Sequence, residues 1–182
     1  MKTGVAASVA AVVLVGGAHS ARVAPCRTSD LQIWVTRTGA ALGTVGGYLA
    51  FTNRGRAICT ITGWPKLTAF RPGAATTAIH VRETMFGPYM YVGGVPRQVR
   101  GVPTVLLRHG QTAGAAFTAG DHGAGRTGAC PPPYQRLRVT PPGNTTSAVV
   151  SAWIAWYGHN LPDCTGIYLS MVVPASGMPP RR

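Results

Sequence analysis

The only place where an acid and an imidazole stand side by side is Asp121-His122, inside TAGDHGAGRTG, Thr118 to Gly128. A hydrolase built there would need a nucleophile, a base and a group to orient it, or else a pair of carboxylates. Past the first twenty residues the chain offers just four acids for such work: Asp30, Glu83, Asp121 and Asp163. Asp30 opens a strand-like segment and Asp163 adjoins Cys164, positions that suit turns and caps. Neighbouring residues of a strand point to opposite faces, and the stretch around Asp121 is a glycine-rich loop. A small hydrolase using Asp121 and His122 is therefore the alternative reading, and a non-enzymatic protein the main one. Metal chemistry has no better footing. His80, His109, His122 and His159 stand singly, with no His-x-His or His-x-x-His pair. GAGRTG, Gly123 to Gly128, lacks the Gly-Lys-(Ser/Thr) ending of a phosphate loop. The sequence calls for no cofactor and no metal.

The four cysteines, Cys26, Cys59, Cys130 and Cys164, are scattered along the chain without a Cys-x-x-Cys pair. Zinc ligands come in close pairs, whereas an even number of cysteines in an exported chain reads as disulfides. Three pairings exist. Cys26 with Cys59 and Cys130 with Cys164 is the favoured one, each closing a loop of about 33 residues and contributing roughly 3 to 4 kcal/mol in the chain-entropy model. The order of the cysteines leaves the other two open.

Export is itself an expectation from the sequence. MKTGVAASVAAVVLVGGAHS places Lys2 before an apolar run from Val5 to Val15, then small residues. That is the three-part pattern of a secretory signal peptide, with cleavage predicted between Ser20 and Ala21. The run is shorter than the roughly 20 residues of a spanning helix, and no later segment is long and apolar enough to span. Residues 1–20 are thus read as a signal peptide and 21–182 as one domain with its core in 26–174. The product is expected to be secreted or associated with the cell envelope.

Seventeen basic residues face four acidic ones, for a net charge of +13, and all but Lys2 and Lys66 of the bases are arginine. Such a field attracts anionic polymers, and the arginine fork suits phosphate and carboxylate. The arginines are dispersed rather than run together as in a nucleic-acid tail, so nucleic acid is a weaker partner than an anionic envelope polymer or a surface protein. The region from Arg71 to Arg108 is long, punctuated by Gly and Pro, and mixes Arg with Tyr. Arg82, Tyr89, Tyr91, Arg97 and Arg100 are its candidate binding surface.

The elements that must carry these residues are short and two-periodic. Strands are predicted at LQIWV (31–35), YLAFTN (48–53), CTIT (59–62), KLTAF (66–70), TVLL (104–107), AAFTA (115–119), QRLRVT (135–140), AVVSAWIAWY (148–157) and IYLSMVV (167–173). Strands spaced this closely and bounded by Gly, Pro and Asn indicate an all-β sandwich or barrel. Asn53-Arg54-Gly55 supplies residues that tolerate positive φ at a turn. Cys59 then starts the returning strand, where a bond to Cys26 would pin the N-terminal edge. Gly63-Trp64-Pro65 breaks that strand, and Trp64 is expected to cap one end of the core.

Several elements together carry a resemblance. They are Cys26 followed by Asp30-Leu31, the Thr52-Asn53-x-Gly55 turn and Cys59 with Gly63-Trp64-Pro65. Further along come Leu107-Arg108-His109-Gly110 before the strand Ala113 to Ala119, then Cys130, and finally Cys164-x-Gly-x-Tyr-x-Ser-x-x-Val-Pro174. Over about residues 26 to 174 this pattern resembles the domain of unknown function 4232 family, secreted or lipoprotein domains common in actinobacteria. Trp64 stands where that family usually has tyrosine or phenylalanine, and His109 where it commonly has proline. The resemblance implies an immunoglobulin-like antiparallel β-sandwich with two disulfides at the cell envelope, and it brings no catalytic residues.

Overall fold

The computed structural model describes residues 22–36, 40–41, 43–73, 81–84, 91–92, 95–96, 101–121, 130–154, 158–162 and 164–174. After a short 3-10 turn, Thr28–Asp30, the described elements are all strands. They are β1 (Leu31–Val35), β2 (Ala40–Ala41), β3 (Thr44–Asn53), β4 (Cys59–Thr62), β5 (Lys66–Phe70), β6 (Val81–Thr84), β7 (Tyr91–Val92) and β8 (Val95–Pro96). The second half adds β9 (Thr104–Leu107), β10 (Thr112–Gly120), β11 (Arg136–Thr140), β12 (Ala148–Ser151), β13 (Trp153–Ile154), β14 (His159–Asn160) and β15 (Ile167–Pro174).

One layer is a six-stranded sheet in the order β1-β3-β10-β15-β6, with β2 added beside β3. The facing strands are β4 paired with β9, and β5-β11-β12 in a three-stranded sheet. Alternation decides what lies between. From the large sheet, Val45, Leu49, Phe51, Ala115, Phe117, Ile167 and Leu169 point inward; from the facing strands come Ile61, Ala69, Val105, Leu107, Leu137, Val139 and Val150. All belong to one buried cluster, as in a β-sandwich whose strands alternate core-facing and outward residues. The pairings are antiparallel except that β6 lies parallel to β15, with Val81 opposite Ile167.

Several local choices explain why this sequence fits. Gly47 lies directly opposite Phe117, and a Cβ there would run into the Phe117 ring; the missing side chain gives the aromatic its place in the core. Between Phe117 and Ala115 the register of β10 against β15 shifts by a bulge. The hydroxyl of Ser170, fully buried, accepts from Ala116 N–H at 2.8 Å and donates to Met171 O at 2.9 Å. A side chain thus satisfies the backbone group that the bulge takes out of the ladder.

Both disulfides form, Cys26–Cys59 and Cys130–Cys164, spanning 33 and 34 residues. The first does secure the N-terminal edge: Cys26 N–H donates to Thr60 O and Thr60 N–H to Ala24 O, beside β1 at the sheet margin. β4, however, does not return along β3. It crosses to the facing layer and pairs with β9, Cys59 opposite Leu107, so the bond ties the edge of one layer to the other. The second disulfide ties the segment before β11 to the segment before β15, where Cys164 N–H donates to Gly120 O.

Three expectations need correction. Gly55 is absent from the positive-φ glycines. It is needed because a Cβ would crowd the Asp30 side chain at 3.0 Å, while the turn is closed by Asn53 Oδ1 accepting from Gly55 N–H at 2.9 Å. Trp64 does not cap the main core but packs, with Tyr48, on Ala116, Met171 and Val173, a second cluster on the outward side of the large sheet. The single strand expected over 148–157 is divided at Ala152 into β12 and β13, and residues 155–157 lie outside the described ones. So do residues 1–21, including the predicted signal peptide and cleavage site. Among the described residues no helix is long and apolar enough to cross a membrane.

Candidate functional site: arginines seated on aromatic rings

The sheet β5-β11-β12 presents its outward face to solvent, and its alternation sorts the side chains cleanly. Along β11, Leu137 and Val139 are buried while Arg136 and Arg138 are exposed. The register sets Arg136 between Phe70 and Ser151, and Arg138 between Thr68 and Val149. Phe70, on the same outward side as Thr68 and Lys66, is nevertheless only 8% exposed. Two guanidinium groups cover it: Arg136 lies 5.6 Å and Arg138 5.0 Å from the ring centroid. Such stacking is favourable by about 0.5 to 1 kcal/mol at exposed sites, and it holds two cationic forks in place without neutralising them. Among the described residues neither arginine makes an ion pair.

Two further arginines use the same device. Arg71, next along the chain from Phe70, lies 4.7 Å over the Tyr134 ring and donates from Nη2 to the Tyr134 hydroxyl at 3.1 Å. Tyr134 is fully buried, so this pair anchors the core rather than facing a ligand. Arg82 on β6 lies 5.4 Å over Tyr168 and donates to its hydroxyl at 2.9 Å. Tyr168 is 38% exposed, and Arg82 is exposed as well.

Of the surface expected from the sequence, Arg82 therefore stands on an edge strand of the large sheet. Tyr91 falls on β7, opposite Pro96, while Tyr89, Arg97 and Arg100 lie outside the described residues. Asp121 follows β10, half-buried, with its N–H donating to Gly43 O at 3.0 Å; His122, its proposed catalytic partner, lies outside the described residues, as do His80 and Asp163. Asp30 serves the fold, its carbonyl accepting from Arg54 and Gly55 N–H. His109 is exposed with Nδ1 3.1 Å from Gly55 O, and His159 is exposed on β14. Among the described residues no three His, Cys, Asp or Glu side chains come together as metal ligands would.

The residues that sequence reasoning passed over are Phe70, Arg136 and Arg138. QRLRVT does carry half the signal, since alternation puts both arginines on one face. The other half is the pairing of β11 with β5, whose partners lie 66 to 74 positions earlier in the chain, and no local pattern encodes that register.

A family model described as Domain of unknown function (DUF4232) matches residues 26–168. No curated protein and no solved structure matches the chain.

Proposed function

The chain belongs to the Domain of unknown function (DUF4232) family, and from that premise we propose that it is an exported, non-enzymatic module that binds an anionic component of the cell envelope. The observation that carries this reading is the seating of exposed arginines on aromatic rings: Arg136 and Arg138 over Phe70, Arg82 over Tyr168. A cation held over a ring keeps its charge and its donors available, whereas one locked to a carboxylate does not. The overall excess of 17 bases over four acids supplies a field that gathers anions towards these groups. Export is supported by the signal-peptide pattern of residues 1–20 and by the two disulfides, which belong to oxidising compartments.

The test is co-sedimentation of the purified, oxidised protein with isolated envelope fractions over a salt series. Saturable retention that persists at about 0.15 M salt, where charges farther apart than roughly 8 Å are screened, is the expected result. No retention, or retention without saturation that vanishes at that salt, would reduce the protein to a structural module with generic basicity. Turnover of an envelope ester or glycan, lost on His122→Ala in a folded protein, would instead establish the hydrolase reading.

A further inference from the structure

Resting on that reading, the structure assigns the docking surface to the outward face of β5-β11-β12 and its partner to a carboxylate-bearing glycan, a polyuronate. Arg136 and Arg138 sit two residues apart on one strand, so their stems are separated by about 7 Å along it. Beside them on β12, Val149 is 51% exposed; two residues past Ser151, which lies opposite Arg136, Trp153 opens β13 and pairs with Asn160 of β14, 49% exposed with Ala152 and Ile154 on either side buried. Lys66 extends the outward row of β5 next to Thr140. The described acids, Asp30, Glu83 and Asp121, are on none of these three strands, so among the described residues the three strands carry basic and apolar side chains and no carboxylate.

Those two properties together choose the partner. An exposed valine opposite Arg138 and a half-exposed indole two residues beyond the partner of Arg136 leave apolar area that a simple polyphosphate has no group to cover. A pyranose ring does have one: its C–H face lies flat on an indole as apolar surface. The ring's equatorial carboxylate then reaches the neighbouring guanidinium in the planar, two-bond geometry that arginine favours. Trp and Arg are also the side chains through which interfaces concentrate binding energy. Because Phe70 already holds both forks over its ring, little of their freedom remains to be lost on binding.

The probe is polygalacturonate, with neutral dextran and single-stranded DNA as the other arms, titrated against the full oxidised protein at about 0.15 M salt. Two double variants are compared, Arg136→Gln with Arg138→Gln, and Arg56→Gln with Arg108→Gln, the latter removing the same charge from exposed positions on the β3–β4 and β9–β10 turns. Trp153→Ala is the third variant, and the unfolding midpoint of each checks that it folds. The expected result is polygalacturonate binding that falls roughly tenfold or more in the Arg136/Arg138 variant and in Trp153→Ala, the scale of a hot-spot truncation, with the turn variant unchanged. Equal loss in both arginine variants overturns the assignment of the face. Envelope retention by a wild-type protein that ignores polygalacturonate overturns the glycan class but leaves the envelope reading standing, and tighter binding of single-stranded DNA replaces the partner with nucleic acid. Binding to neither envelope nor polygalacturonate removes the reading on which the inference rests.

Discussion

Asn53→Ala is the substitution whose cost the structure specifies most fully. The Asn53 side chain is completely buried. Its Nδ2 donates to Ala57 O at 2.9 Å and to Leu107 O at 3.0 Å, and its Oδ1 accepts from Gly55 N–H at 2.9 Å. Its own backbone donates to Gln111 O and accepts from Gly110 N–H. One residue therefore joins the end of β3, the turn into β4, the end of β9 and the turn into β10. Truncation removes three side-chain bonds and leaves a buried carbonyl short of its donor. At about 1 kcal/mol net per bond, and more where a buried group loses its partner, the loss is about 3 kcal/mol, within a range of roughly 2 to 4. Urea unfolding followed by tryptophan fluorescence, with disulfides intact in both proteins, measures it. The near-isosteric Asn53→Asp adds a pH dependence of defined sign. Its carboxyl would face the oxygens of Ala57 and Leu107, so burial and repulsion favour the protonated form and raise its folded pKa above the unfolded value near 4. The deficit is then smallest below about pH 4 and grows as pH rises through the folded pKa. A loss under about 0.5 kcal/mol for Asn53→Ala, or a pH-independent deficit for Asn53→Asp, would refute the assignment of Asn53 as the tie between these turns.

Gly47→Ala drives a methyl into the Phe117 ring and is expected to cost about 1 to 3 kcal/mol; Phe117→Leu in the same chain should recover part of that, a coupling that a double-mutant cycle detects. Ser170→Ala strips the bulge of the group that bonds Ala116 N–H and is expected to lower stability by about 1 to 3 kcal/mol, read from the urea midpoint at unchanged slope. Opening the second disulfide by Cys130→Ser with Cys164→Ser, a loop of 34 residues, is expected to cost about 3 to 4 kcal/mol in the same assay.

The strands that were legible in the sequence are those whose alternation is uninterrupted. CTIT, KLTAF, TVLL and LQIWV begin and end where the structure has them, because each is short, and the first three stand within three residues of a closing Gly or Pro. β3 and β10 were read too short. Gly46 and Gly47 precede the expected start at Tyr48, yet they are strand residues kept bare to admit Thr118 and Phe117 from the neighbouring strand, a cross-strand relation invisible locally. β6 was missed because Val81–Thr84 has no period of its own and is ordered by lying parallel to β15. The cysteine pairing favoured among the three is the one that forms, but its placement across the two layers depends on β4 leaving β3 for β9. The same blindness to register hid Phe70 beneath Arg136 and Arg138, and so directed attention to the arginines of the long 71–108 region instead.

On the proposed reading an arginine and tryptophan face holds the protein to acidic glycan in the envelope, and competition by a soluble polyuronate probes that attachment. Protein retained on envelope fractions is eluted with soluble polygalacturonate or with neutral dextran, each at the same total ionic strength of about 0.15 M. Saturable release by polygalacturonate is expected, with none by dextran and no further release when the ionic strength is matched with sodium chloride. Release by matched salt alone, or none by the polyuronate at saturating concentration, would contradict it.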